Sequence, residues 1–254
     1  MATELKPGER RVLYLYGMTQ SRPSAPVRQP GVDLESQIEA VDCEGIVCWM
    51  SRVSATEFEQ SLATNMENLD WLSTASVAHQ RAIAALAQKT DILPARFGTV
   101  FRDENSLRKH VRARMPELAK DFKRVKDADE WGVKVFESAP AAATVPKVKS
   151  GKDYLMAKAA MIPRKNATQI PEEELADFQA ALADVAEDTA APGRISSGQR
   201  GLSFQTTLLV KRSNRQPLQS VLKKFSKRWA ATRRIECTGP WPPYSFVSRD
   251  SQSL

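Results

Sequence analysis

The chain has 254 residues, of which 42% are hydrophobic and 26% charged, enough apolar material for a real core and too much for wholesale disorder. No apolar run approaches the roughly 20 residues that a bilayer-crossing helix needs, and the polar start Met1 to Arg11 lacks the apolar segment of a secretory signal, so the cytoplasm is the expected compartment. A net charge of +7 suits an anionic partner without bearing on the fold, and three cysteines, an odd number, argue for free thiols over a disulfide framework.

The first predicted element is Arg11 to Gly17, a nearly continuous β-branched and aromatic run that reads as a buried strand. Ser21 to Pro30 holds three prolines among polar residues and reads as a loop. Ile38 to Asp42 and Ile46 to Val53 are two strands around the turn signal Glu44-Gly45, a hairpin. A short helix is expected over Glu57 to Thr64. An apolar stripe of Leu69, Leu72, Ile83 and Leu86 then continues a helix to about Lys89. Pro94 and Gly98 bracket Ala95-Arg96-Phe97, where the chain must turn sharply. Asp103 can cap a helix whose inward face is Leu107, Val111, Leu118, Phe122 and Val125. Pro116 lies inside it at a cost of about 3 kcal/mol, which predicts a kink or two shorter helices.

From Glu130 the pattern alternates as a strand through Phe136, followed by an exposed connection over Ala139 to Val148. A helix is expected over Ser150 to Ala160, and another begins at Pro171 with three glutamates at its positive end, its apolar face being Leu175, Phe178, Leu182 and Val185. Arg194 to Ser197 and Leu202 to Lys211 suggest a hairpin turning at Gly198 and Gly201. Ser213 or Asn214 can cap the next helix, striped by Leu218, Val221, Leu222, Phe225 and Trp229, and Arg233 to Cys237 is the last strand. The second half therefore runs in the split βαβ order of a ferredoxin-like sandwich. The expected architecture is α+β in two domains, 1–127 and 128–254, the second ending in a proline- and aromatic-rich tail.

Signatures of catalysis are missing. There is no G-x-S-x-G elbow, H-E-x-x-H helix or G-x-G-x-x-G turn. Ser150-Gly151-Lys152 has the ending of a phosphate loop, but Pro146 stands where its first glycine belongs and Asp153 where a hydroxyl would meet magnesium. Cys43 and Cys48 lack the further Cys or His donors that zinc needs nearby, and read as buried thiols. His79 and His110 lie near inward helix stripes with no acid or nucleophile tied to them by spacing, and read as packing residues. No cofactor, metal or small-molecule substrate is expected. Basic residues crowd Arg102 to Lys126 and Lys223 to Arg234, which opens nucleic acid as an alternative partner. Acidic residues interrupt the first stripe, and the acidic helix after Glu172 favours solvated or protein-facing roles.

Four blocks occur in a fixed order: Leu93 to Phe101 (LPARFGTVF), Glu130 to Val135 (EWGVKV), Gly151 to Leu155 (GKDYL) and Thr238 to Phe246 (TGPWPPYSF). Together they resemble the gas-vesicle F/L family. The resemblance implies a non-enzymatic accessory of gas-vesicle assembly, found with vesicles, whose partners are the small hydrophobic shell protein A and other accessory proteins. It also implies two α+β domains. On this reading Arg96, Phe97, Trp241, Tyr244 and Phe246 are the partner-binding candidates, since large aromatics dominate interface hot spots. Each also has a packing reading: Phe97 as a core anchor, and the C-terminal aromatics as a cover over a core.

Overall fold

The computed structural model describes residues 9–138, 170–191, 199 and 201–248. It divides into two compact units, Met1–Glu130 with Pro240–Leu254, and Trp131–Gly239.

The first unit is organised by β1 (Arg11–Thr19), which pairs antiparallel with β3 (Ile46–Ser54), β4 (Leu93–Pro94) and β5 (Val100–Phe101), while β3 also pairs with β2 (Glu39–Cys43). The β2–β3 turn takes positive φ at Glu44 (58°) and Gly45 (81°), the conformation that two-residue hairpins favour. At Gly17 the pairing of β1 with β3 shifts register. A Cβ at Gly17 would stand 2.7 Å from the Leu93 carbonyl oxygen, so only glycine lets β4 approach this closely.

A short helix, α1 (Leu62–Glu67), and a longer one, α2 (Leu69–Ala87), follow a π-helical turn at Thr56–Gln60. The Asn68 side chain accepts from the backbone N–H groups of Asp70 and Trp71 and so caps α2. Ala75, Ala78, Ala82, Ile83 and Leu86 form the buried face of α2, and the core beneath it contains Val12, Tyr14, Tyr16 and Phe58. Helix α3 (Glu104–Val125) starts at a capping box between Asp103 and Ser106 and buries Leu107, Val111, Leu118, Phe122 and Val125.

The second unit holds a four-stranded sheet in the order β7 (Asp188–Ala190), β8 (Leu202–Lys211), β6 (Ala128–Glu137), β9 (Arg233–Trp241). Helices α4 (Glu172–Ala183) and α5 (Arg215–Arg228) complete it. Its described elements run in the order β-α-β-β-α-β, completed by β7, a strand that the sequence reading does not contain. The core joins Val133, Val135, Leu208 and Val210 to Phe178, Phe225 and Trp229. Those three rings pack with centroids 4.8–5.3 Å apart, and the Trp229 indole N–H donates to Glu174 at 2.6 Å, so its polar end is satisfied.

Several expectations are corrected. Helix α3 runs through Pro116 as one helix, not as two shorter ones. The ring is exposed, so the carbonyl it deprives of a partner can meet water, while buried residues on both sides hold the helix. Leu69, read as inward, is 78% exposed. The strand β7 was not foreseen, and β9 extends four residues beyond Cys237. Its Pro240 is tolerable near the end of an edge strand, where a ladder donor is not required. No side-chain cap opens α5: the Asn214 amide oxygen accepts from the Ser213 hydroxyl at 3.4 Å and its nitrogen donates to the Val185 carbonyl at 3.3 Å. The expected helix over 150–160, the GKDYL block and the strand over 194–197 lie outside the described residues.

The division also differs from the expected line at Asp127: it falls after Glu130, and the tail from Pro240 groups with the first unit. Within that tail Phe246 is fully enclosed and lies beneath the Arg124 guanidinium, 5.3 Å from its ring centroid. Phe246→Ala should therefore destabilise the first unit by about 3 kcal/mol, the scale for a buried Phe truncation. Trp241→Ala, at a half-exposed position, should cost under about 1 kcal/mol. Denaturant unfolding of both variants, followed by circular dichroism, checks the contrast.

Candidate functional site

Burying two tyrosines on β1 obliges the fold to satisfy their hydroxyls. The Tyr14 hydroxyl accepts from the backbone N–H of Gly98 at 3.0 Å and lies 3.0 Å from Nδ1 of His79. The Tyr16 hydroxyl accepts from the Val32 N–H at 2.7 Å and shares a 2.7 Å hydrogen bond with Ser51. Burial pushes both phenols up, Tyr16 to about 12, so they remain neutral hydrogen-bonding groups. The ring of His79 is buried among Tyr14, Tyr16 and Phe97. Burial lowers its pKa to about 4, partly opposed by the nearby Ala95 backbone, to which Nε2 makes no well-aligned hydrogen bond. A neutral histidine in this setting is a structural tie, with no carboxylate beside it to make it a general base.

The Leu93 to Phe101 block is thereby explained in physical terms. Leu93 and Pro94 pair with β1, Val100 and Phe101 pair with it again, and Gly98 at φ 79° turns the chain between them. Phe97 is half-buried, with ring contacts to Tyr14, Trp71 and His79. Arg96 is exposed, and its carbonyl accepts from the N–H and hydroxyl of Thr99.

The tail is tied to the first unit by two similar clamps. Ser245 donates its N–H and hydroxyl to the two carboxylate oxygens of Glu130, at 2.7 and 2.9 Å. Ser248 does the same to Asp121, at 2.8 and 2.9 Å. Burial raises the pKa of Glu130, and the two bonds from Ser245 oppose that rise. Arg124 donates to the Phe246 carbonyl at 3.3 Å and Arg114 to that of Ser248 at 3.0 Å. Tyr244 is half-buried against the α2 core, and its hydroxyl donates to Oε1 of Gln80 at 3.1 Å. Trp241, by contrast, remains 49% exposed.

Of the five partner-binding candidates, Phe246 is enclosed, Phe97 and Tyr244 sit between core and surface, and Arg96 and Trp241 are exposed. The structure adds an apolar strip that the sequence reading missed. Met66, Leu69 and Val77 are 45, 78 and 45% exposed, and Leu69, Ser73, Val77 and Gln80 recur on one side of α2. The strip's Gln80 end is where Tyr244 docks. The signal available in the sequence was the phase of the helix: Ala75, Ala78, Ala82, Ile83 and Leu86 share one side of α2, and Leu69 and Val77 fall outside it.

Among the described residues, no group of three or more His, Cys, Asp or Glu side chains is arranged to hold a metal, and no helix is long and apolar enough to cross a membrane. Cys43 and Cys48 are buried, with thiol pKa values raised by burial, and are poor nucleophiles. The four arginines of α3 are engaged: Arg108 and Arg112 meet Glu104 and Glu44, Arg114 meets Glu117, and Arg124 covers Phe246, while Lys109, Lys120 and Lys123 are exposed.

The family model "Gas vesicle synthesis protein GvpL/GvpF" matches residues 12–248. The chain belongs to the GvpL/GvpF family of gas vesicle synthesis proteins. Gas vesicle protein L of Streptomyces sp. (strain CB03234) is 30% identical to it over 216 residues, covering 80% of each chain. Among solved structures, GvpF from Anabaena sp. PCC7120 superposes with a TM-score of 0.67 at 15% identity, over 96% of this chain and 99% of that one. GvpF from Microcystis aeruginosa gives 0.62 at 15% identity, over 94% and 99%. At that identity the likeness is one of fold. Family membership implies a role in gas vesicle formation.

The His79 tie makes stability depend on pH with a definite sign. Its folded pKa near 4 lies below the ordinary 6.5, so the unfolded chain binds the extra proton between those values. The contribution is present above pH 6.5 and is lost as pH falls towards 4, by up to about 3 kcal/mol. Unfolding free energies measured between pH 7 and 4 should fall more steeply for the native chain than for His79→Gln, which cannot titrate there.

Proposed function

We propose that this chain is a non-catalytic accessory of gas vesicle assembly that adheres to shell protein A and to other accessory proteins, beside the growing vesicle in the cytoplasm. The observation that carries the reading is the family match, which runs almost from end to end of the chain. The surface of the first unit supports it. Exposed Met66, Leu69, Val77 and Trp241 offer the apolar contact that a shell subunit otherwise seeks in its own neighbours. In this role the protein needs no cofactor and no small-molecule substrate. Its work is to hold an aggregation-prone partner until the shell takes it.

Nucleic acid, the alternative partner, has less support. Arg108, Arg112 and Arg114 of α3 and Arg228 of α5, part of the two basic stripes that gave rise to it, are engaged in intramolecular pairs. Phosphate binding would have to break those pairs, each contributing little, and the affinity would fall steeply with salt.

Deleting the gene in a vesicle-forming host should abolish or malform the vesicles seen by electron microscopy, and the intact chain should restore them. The purified chain should retain shell protein A, alone or with the other accessory proteins present. Normal vesicles without the chain, or no retention under any of these conditions, would overturn the proposal.

A further inference from the structure

We infer that the exposed strip of α1 and α2 docks an amphipathic helix whose apolar side is flanked by lysine or arginine. The inference deepens the proposed function, on which it rests, by stating the chemistry of the partner segment.

Two observations meet at this corner. The first is apolar exposure. Helix α1 has no buried residue at all, and Met66 at its end is followed by Leu69, the most exposed large hydrophobic among the described residues. Val77 follows two turns on, on the same side of α2 as Leu69. From Leu69 to Gln80 the strip is about 16 Å long at 1.5 Å per residue, the length of three turns of a partner helix. Tyr244 meets α2 at Gln80, and the half-exposed Trp241 precedes it in the same tail.

The second is charge. The chain carries a net +7, yet between Arg52 and Arg81 it has four acidic side chains, Glu57, Glu59, Glu67 and Asp70, and no lysine or arginine. Glu59 is neutralised by Arg10, and Glu57 accepts the indole N–H of Trp71 at 2.6 Å. Glu67 and Asp70 stand exposed, next in sequence to Met66 and Leu69. The exposed Arg81 bounds the strip at its Gln80 end, so the acidic rim lies at the Met66–Leu69 end. An apolar strip with that acidic end on a basic protein fits a partner with apolar centre and basic edges, whose long aliphatic stems would extend the apolar contact. A second copy fits badly, because a two-fold contact sets the strip against itself and brings like charges together.

The test uses the full chain and two synthetic helical peptides with the same leucine face, one edged with lysine and arginine, the other with glutamate. By fluorescence anisotropy the basic peptide should bind at least tenfold more tightly than the acidic one, and its affinity should fall with salt. Leu69→Ser with Val77→Ser should weaken it at least tenfold, and Glu67→Lys with Asp70→Lys should reverse the preference. All four substitutions are at exposed positions, and unchanged thermal melts verify that the variants fold. Equal binding of both peptides, no binding of either, or a native dimer dissolved by Leu69→Ser/Val77→Ser in light scattering would overturn the inference. Vesicle formation separates this from the wider reading: a Leu69→Ser/Val77→Ser chain that restores normal vesicles contradicts the docking strip alone, whereas normal vesicles in the deletion strain contradict the accessory role itself.

Discussion

Strand β1 can be buried only if the hydroxyls of Tyr14 and Tyr16 find partners, and much of the first unit is arranged around that requirement. An unsatisfied buried hydroxyl costs on the order of 1–3 kcal/mol, so two of them would consume a sizeable part of a domain's net stability. The partners come from distant stretches: His79 on α2, the Gly98 amide in the Leu93 to Phe101 block, Ser51 on β3 and the Val32 amide after the proline-rich loop. Four separate segments are thereby fixed to one strand. The family block around Arg96 and Phe97 is for this reason a structural device first, whatever its exposed arginine adds.

The same logic governs the tail. Asp121 is a carboxylate buried on a basic helix, and Glu130 sits where burial disfavours its charge. Each is compensated by a serine that supplies two donors. Phe246 then fills the space under Arg124, and the chain returns to the unit it left more than a hundred residues earlier. Among the described residues, Trp241, the α1–α2 strip and Leu34 are where the first unit exposes large apolar side chains.

Local pattern made most of the elements legible. The β-branched run of β1, the Glu44-Gly45 hairpin, the Asp103 cap and the stripe of α5 all follow from side-chain period and turn chemistry, which act within a few residues. What failed is non-local. A three-residue strand such as β7 has too few residues to show a period. Pro116 breaks a rule of isolated helices that packing overrides. The return of the tail depends on Asp121 and Glu130, which nothing near Ser245 and Ser248 announces. The family blocks told more about membership than about contact: Phe97 and Phe246 are in them because the fold needs them, while Leu69 and Val77, which are exposed, lie in none.

The central claim, adhesion through the first unit, is tested most directly by hydrogen–deuterium exchange of the full chain with and without purified shell protein A. Added protection concentrated in α1, the first turns of α2 and the tail around Trp241 is the expected result. Unchanged exchange in those segments at saturating shell protein, or protection confined to the basic helix α5, would contradict it.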